Sequence, residues 1–293
     1  MSAVCSLCPR MCSVDRSRET GFCGMGDTLK IARAGLHLWE EPCISGENGS
    51  GTVFFSGCNL GCVFCQNYDI SHRRVGKDIT PERLYEIFYE LKEKGAHNIN
   101  LVTADHFTSQ LVPVLKRVKS EGFPLPIVFN TSSYLRPVAI KMLEGLVDIY
   151  IADLKFSTPS LAKRYLRAEN YPDISRAAVK LMSEQTGIPV IENGIMKSGV
   201  IIRVLVIPHN VIDAKLTLSY ICKTFGDNVI LSLMSQYTPI PEAPFPELKK
   251  PLTDAEYKSV VDYAVRLGFT NAYIQDGSSV GEGFIPDFNF EGV

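Results

Sequence analysis

The chain has 293 residues, which is enough for one barrel-sized α/β domain with a small appendage or for two ordinary domains. Its 45% hydrophobic and 21% charged residues are typical of a globular protein with a sizeable core. The net charge of −2, the lack of a long apolar run and an N-terminus unlike a signal peptide lead us to expect a cytoplasmic protein with no nucleic-acid or membrane partner.

Residues 1–50 are rich in glycine and cysteine and predict an irregular N-terminal module. From residue 52 onward, apolar strands alternate with amphipathic helices. The predicted strands cover 52–56, 98–103, 126–130, 148–154, 200–207 and 229–234. The predicted helices cover 81–94, 108–120, 137–146, 159–167, 173–186, 212–225 and 254–267. Residues 51–275 are therefore predicted to form an α/β domain with a parallel sheet, either a barrel or a doubly wound sheet, and residues 276–293 an extended tail.

The nine cysteines give the first functional signal. Seven of them fall in two tight clusters, which indicates metal sites rather than a disulfide framework. Cys58, Cys62 and Cys65 directly follow the first predicted strand, with the spacing C-x3-C-x2-C. Three thiolates on one loop can ligate three irons of a 4Fe-4S cluster and leave the fourth iron open.

An open iron can be chelated by the amino and carboxylate groups of S-adenosylmethionine (SAM). One electron from the reduced cluster then breaks the S–C5′ bond and leaves a 5′-deoxyadenosyl radical. Two alternatives need a fourth ligand: a structural zinc site, for which Cys43 is a candidate, and a ferredoxin-type cluster. The spacing, Phe64 before the third cysteine and the strand-loop-helix context favour the SAM interpretation.

The second cluster, Cys5, Cys8, Cys12 and Cys23, is a complete set of four ligands with the spacing C-x2-C-x3-C-x10-C. Zinc would fold a module otherwise too small to hold a core, whereas a second, auxiliary iron–sulfur cluster would relay electrons or bind substrate. We favour zinc because the segment lacks the C-x2-C-x2-C run of ferredoxins.

In these motifs the chain resembles the radical SAM superfamily, in the branch related to pyruvate formate-lyase activating enzymes. The resemblance spans nearly the whole chain, through the two cysteine segments and the runs 130–132, 148–155 and 234–239. It implies a partial (β/α)6 barrel with a small N-terminal cysteine-rich metal-binding module. It also implies hydrogen abstraction, with a glycyl-radical enzyme as a protein substrate and flavodoxin or ferredoxin as the external reductant.

The resemblance also carries site residues. Asp153 and Lys155 match an Asp-x-Lys that contacts SAM, and Arg203 matches an arginine on the next strand. The competing interpretation of Arg203 is a barrel-interior charge paired with Asp153 or Glu192. Asn130, at the end of the third strand, is a further candidate for SAM binding, since ligands of parallel α/β folds bind beyond the carboxyl ends of the strands.

Two departures from the family pattern concern the substrate. The Gly-Gly-Glu segment that holds the amino end of SAM is replaced by residues 103–106, where Asp105 or the backbone is the candidate substitute. His106 is expected either to face the substrate or to cap the next helix. A histidine near the last strand is absent, and Gln236 lies at its place. These departures motivate an alternative to glycyl-radical activation, namely a radical SAM enzyme that acts on a small molecule or peptide. A further alternative is a non-enzymatic iron–sulfur or zinc-binding module.

Overall fold

The computed structural model describes residues 4–240, 243–275 and 286–293. Strands and helices alternate through most of this part of the chain. The strands are β1 (Leu29–His37), β2 (Ser50–Phe55), β3 (Lys77–Ile79), β4 (Ile99–Val102), β5 (Ile127–Thr131), β6 (Ile149–Asp153), β7 (Val190–Glu192), β8 (Ile195–Leu205), β9 (Ile230–Met234) and β10 (Ala272–Ile274). The helices are α1 (Pro42–Ser45), α2 (Tyr68–Ser71), α3 (Pro81–Glu93), α4 (Thr108–Ser120), α5 (Pro137–Met142), α6 (Pro159–Leu166), α7 (Tyr171–Thr186), α8 (Val211–Phe225) and α9 (Asp254–Leu267).

Six parallel strands form the centre of one sheet, in the order β2, β4, β5, β6, β8, β9, and β10 extends it beyond β9. These six are the predicted strands in their chain order, and each connection carries its strand to the next position in the sheet. The partial (β/α)6 architecture is thereby confirmed. Because all six run the same way, their carboxyl ends meet at one edge of the sheet, where a ligand site is expected.

The short helix α1 closes the other end of the strands. Its residues Cys43 and Ile44 are buried in one apolar cluster with inward-facing strand residues such as Val128, Ile149 and Ile201. Asn98 donates to the Ile44 carbonyl at 2.8 Å. These contacts hold the segment that precedes α1 inside the barrel, below the carboxyl ends of the strands.

The expectation of an irregular stretch is wrong for residues 29–37. They form the nine-residue strand β1, which pairs antiparallel with β2 and β3 at the edge of the same sheet. Its sequence, LKIARAGLH, has small residues where a sheet edge packs closely, so its apolar pattern is weak. The division into three segments at residues 50 and 275 stays a prediction, but the first segment contributes a strand to the central sheet.

The predicted helices are present, with one clear difference in length. α5 ends at Met142 rather than at residue 146, because the chain turns over the next residues through Gly145, whose φ is +72°. The best-defined start belongs to α9, where Thr253 and Glu256 form a reciprocal capping box.

Part of the predicted C-terminal tail, residues 276–285, lies outside the described residues. Residues 286–293 run along β1, where Phe290 N–H donates to the Ala32 carbonyl at 3.1 Å and Arg33 pairs with Glu291 at 2.7 Å. Among the described helices, none combines the length and apolar character needed to cross a membrane.

Candidate functional site

A cavity of about 220 Å³ opens at the carboxyl ends of the parallel strands. Its wall brings together residues that are far apart in the chain, including all but Asp105 of those singled out for the 4Fe-4S cluster and for SAM. The predicted site residues that line it are Cys58, Cys62, Cys65, Asn130, Asp153, Lys155, Arg203 and Gln236.

The three cysteines lie on the loop between β2 and α2. The Leu60 N–H donates to Cys58 Sγ at 3.4 Å, and the Ser71 hydroxyl donates to Cys65 Sγ at 3.3 Å. Burial raises the pKa of the Cys62 thiol to about 12. Bound iron would offset that burial and favour the thiolate, and hydrogen bonds to the sulfurs help to set the potential of a thiolate-bound cluster.

This donor set fits a 4Fe-4S cluster. All three ligands are soft thiols, which suit iron–sulfur clusters, and they face a cavity in which a fourth iron can take a ligand other than protein. Within the described residues, no three ligand-type side chains lie close enough to share a single metal ion. A cube binds each thiolate through a separate iron, so it does not require that convergence.

Asp153 and Lys155 form an ion pair at the end of β6, with 2.6 Å between the carboxylate and the ammonium. Burial alone would lower the pKa of Lys155, but the Asp153 carboxylate and the Cys62 thiol outweigh it, so the pKa is raised and the ammonium stays charged. A fixed ammonium can bind a carboxylate, and a fixed carboxylate can accept from sugar hydroxyls. Both groups suit the two ends of SAM.

Tyr171, the first residue of α7, fixes the backbone beneath this pair. Its hydroxyl accepts from the Lys155 N–H at 3.1 Å and donates, shared, to the Ser132 and Asp153 carbonyls at 2.9 and 3.0 Å. The side chain is fully buried. Tyr171 therefore ties the ends of β5 and β6 together at the cavity wall.

Arg203 has partners other than those expected from the sequence. Its guanidinium donates to Glu41 at 2.7 and 2.6 Å and also contacts Glu40. The alternative pairing with Asp153 or Glu192 is therefore wrong: the segment before α1 enters beneath the strand ends, whereas Glu192 is exposed on β7. Arg203 still lines the cavity, so its predicted contact with SAM stays a prediction.

The structure places Asp105 behind the cavity wall. It is 1% exposed, and its Oδ1 accepts from the Thr131 hydroxyl, which is on the wall. Its other oxygen, Oδ2, has no hydrogen-bond partner in the described structure. The His106 ring is buried as well and bonds the Ser56 carbonyl at 2.8 Å, and burial lowers its pKa to about 3, so it stays neutral.

The four N-terminal cysteines lie near one another. Burial raises the pKa of Cys8 to about 11, with further increases from Cys12, Cys23 and Cys5. The Phe22 N–H donates to Cys12 Sγ at 3.2 Å. The choice between zinc and an auxiliary cluster stays open at this point.

This four-cysteine module packs directly on the loop that carries the other three cysteines. Gly57, with a φ of +80°, precedes Cys58, and a side chain there would come within 2.6 Å of the Cys23 carbonyl oxygen. Arg10 donates to the Asn59 carbonyl at 2.9 Å. The two cysteine sites are therefore neighbours through their backbones.

Sequence reasoning missed His37, Trp39 and Glu40, which line the cavity from the end of β1 and from the segment between β1 and α1. The available signal was the pair of acidic residues at 40–41, directly before the apolar Pro-Cys-Ile run of α1. Carboxylates beside a buried apolar segment require a partner, which the structure supplies as Arg203.

Comparisons with known proteins agree with this architecture. Residues 52–209 match the model of the Radical SAM superfamily. The uncharacterized protein MJ0674 of Methanocaldococcus jannaschii is 30% identical over 278 residues, which cover 92% of this chain and 76% of that protein.

Two solved structures are similar in fold. SuiB of Streptococcus suis, solved with S-adenosylmethionine bound, has a TM-score of 0.53 and 12% identity over 75% of this chain and 48% of that chain. Methylornithine synthase (PylB) has a TM-score of 0.52 and 18% identity over 74% of this chain and 60% of its own. This chain thus matches about half the length of SuiB.

Proposed function

We propose, from the premise that this chain belongs to the radical SAM superfamily, that it binds SAM in the described cavity, cleaves it reductively and abstracts a hydrogen atom from a substrate there. The observation that carries the proposal is the meeting of Cys58, Cys62 and Cys65 with the Asp153–Lys155 pair on one cavity wall. Family membership implies the 4Fe-4S cluster and SAM, and the residues present fit both.

A 4Fe-4S cluster on the three cysteines supplies the electron that breaks the S–C5′ bond of SAM and yields the 5′-deoxyadenosyl radical. Lys155 would hold the SAM carboxylate and Asp153 the ribose hydroxyls, while Tyr171 keeps their backbone in place. Asn130 and Gln236, which also line the cavity, would supply further polar contacts. Holding the reacting groups in one buried cavity limits the access of water to a radical.

SAM binding can be tested by EPR spectroscopy of the reduced cluster. Anaerobically reconstituted, reduced protein should give an EPR signal that changes on addition of SAM, since SAM would bind the open iron. The variant Lys155→Ala should retain the cluster signal but require at least about 10-fold more SAM for the same change, as expected for loss of a charge-assisted hydrogen bond. A signal that SAM does not alter in the wild type would contradict the proposal.

For the substrate, our first candidate is a glycyl-radical enzyme, as in the activating enzymes that the chain resembles. The second is a small molecule or peptide, which is supported by the altered segment 103–106 and by the charged cavity floor described below. An EPR doublet on a glycyl-radical enzyme after incubation with SAM and reduced protein would favour the first. Formation of 5′-deoxyadenosine with that partner left unmodified would favour the second.

The electron must come from outside the chain, and we propose an acidic flavodoxin or ferredoxin. The support is an arginine face, defined here as Arg10, Arg74, Arg136 and Arg167, none of which pairs with a carboxylate among the described residues. Arg167 lies against Gly61 of the cysteine loop and Arg74 against Gly24 of the four-cysteine module. Surface charges of this kind speed the docking of an oppositely charged partner.

For the four-cysteine module we propose zinc, with a structural role; the four side chains do not converge on one point in this structure and would close around the ion on binding. Its contacts with Gly57 and Asn59 would then brace the cysteine loop from outside the barrel. An auxiliary cluster in the same position would instead lie next to the loop as a relay.

A further inference from the structure

The floor of the cavity holds two carboxylates for one guanidinium. Glu41 takes a two-point hydrogen bond from Arg203, at 2.7 and 2.6 Å, and the same guanidinium also donates to Glu40. Glu40 is the additional carboxylate. It is 7% exposed, and of the two acidic residues it is the one that lines the cavity.

A second observation, on a side chain that bonds Glu40 but does not itself line the cavity, points to a missing donor. Asn100 is fully buried, and its amide Nδ2 donates to Glu40 at 2.9 Å. Its Oδ1 is buried and has no partner. Flipping the amide would turn that oxygen towards the carboxylate, so Glu40 fixes the orientation and leaves an acceptor without a donor.

The remaining charges around the cavity do not balance Glu40. Asp153 and Lys155 neutralise each other, and Arg203 neutralises Glu41. His37 also lines the cavity. Burial lowers the pKa of its imidazole, and Arg33 and Arg203 lower it further, although Glu40 acts in the opposite direction. His37 therefore adds no positive charge at neutral pH. The described wall thus carries one excess negative charge, at a buried position where an unbalanced charge is costly.

We propose that Glu40 and Asn100 form a binding site for an ammonium group of a ligand in this cavity. An ammonium carries one positive charge and three N–H donors, which match the excess carboxylate and the unpaired amide oxygen. The inference rests on the proposed function, because the amino group of SAM is then engaged by the open iron and the ammonium belongs to a substrate that carries an amine. Glu40 lies outside the 52–209 segment that matches the superfamily, whereas Asn100 lies within it.

The test measures binding by the reconstituted, unreduced protein, so it does not depend on turnover. The variants are Glu40→Gln, the charge-retaining Glu40→Asp as a check on folding, and Glu192→Gln as a matched control on the exposed strand β7. The probes are SAM, a SAM analogue without the α-amino group, and n-butylammonium added to SAM-loaded protein with n-butanol as its neutral counterpart.

Weaker SAM binding by Glu40→Gln, by about 10- to 100-fold with the analogue unchanged, would show that Glu40 binds SAM itself and would overturn the inference. Because the ammonium belongs to a substrate, Glu40→Gln should leave SAM binding unchanged and abolish the preference for n-butylammonium over n-butanol. The inference is overturned if Glu40→Gln binds SAM and n-butylammonium as the wild type and Glu192→Gln do. If the protein binds these probes as expected but never cleaves SAM, the proposed function is contradicted and the ammonium site is not.

Discussion

The Tyr171 hydroxyl accepts a hydrogen bond from the Lys155 backbone N–H at 3.1 Å, so a helix residue fixes the strand end that carries the cavity's ion pair. The same hydroxyl reaches the Asp153 carbonyl at 3.0 Å. The pair and its support come from separate elements, β6 and α7, and meet only in the folded chain.

Replacing Tyr171 with phenylalanine should therefore loosen the ion pair. Because the Lys155 N–H would be buried without an acceptor, we expect a loss of about 1–3 kcal/mol in the free energy of unfolding and a several-fold weaker affinity for SAM. Urea unfolding and SAM titration measure the two effects. Tyr220→Phe, whose half-buried hydroxyl donates to the Arg176 carbonyl over a long 3.5 Å, is the matched control and should change neither by much. Unaltered SAM affinity in Tyr171→Phe would show that the tyrosine does not position the pair.

Asp105 should make stability depend on pH. Burial raises its pKa to about 6 in the folded protein, above the ordinary value of 3.8. A carboxyl group with a raised pKa stabilises the fold most below pH 4, and that contribution is lost as the pH rises through 6. Asp105→Asn should remove this dependence, so its unfolding free energy relative to wild type should rise by roughly 2–3 kcal/mol between pH 4 and pH 7. A difference that stays constant across this range would mean that Asp105 is not the titrating group.

The arginine face should affect the rate of cluster reduction only when the reductant is a protein. The double variant Arg74→Glu/Arg167→Glu should slow cluster reduction by an acidic flavodoxin about 10-fold at low ionic strength, with a smaller effect at high salt, because steering charges are screened. Reduction by dithionite should be unchanged. The control Lys116→Glu/Lys223→Glu makes the same charge change on the exposed outer faces of α4 and α8. Equal rates for the two double variants would rule out docking at this face.

The four-cysteine module can be identified by metal analysis. Anaerobically reconstituted wild type should contain about four irons and one zinc per chain, and Cys5→Ala/Cys8→Ala should lose the zinc and keep the irons. About eight irons and no zinc in the wild type would contradict the zinc proposal and identify an auxiliary cluster.

The sequence predicted the parts of the site that depend on local spacing. Cys58, Cys62 and Cys65 share one loop, and Asp153 and Lys155 share one strand end, so short motifs were sufficient to find them. Glu40 could not be found in this way, because its place on the cavity floor depends on α1 entering the end of the barrel. Asp105 is the converse case: its position after a strand suggested a ligand contact, but its side chain turns behind Thr131.

The same distinction holds for the fold. The six central strands are nearly continuous apolar runs, which identify buried parallel strands. β1 escaped prediction because a strand that contains alanine and glycine has a weak apolar pattern, and its register is set by β2 and β3 rather than by its own residues.

The central claim is tested most directly by measuring 5′-deoxyadenosine after anaerobic incubation of reduced, reconstituted protein with SAM. We predict that the wild type forms it and that Cys58→Ala, Cys62→Ala and Cys65→Ala do not, because each would remove one of the three cluster ligands. Wild-type protein with a full, reduced 4Fe-4S cluster that forms no 5′-deoxyadenosine, even with substrate candidates present, would contradict the account and favour a non-enzymatic iron–sulfur module.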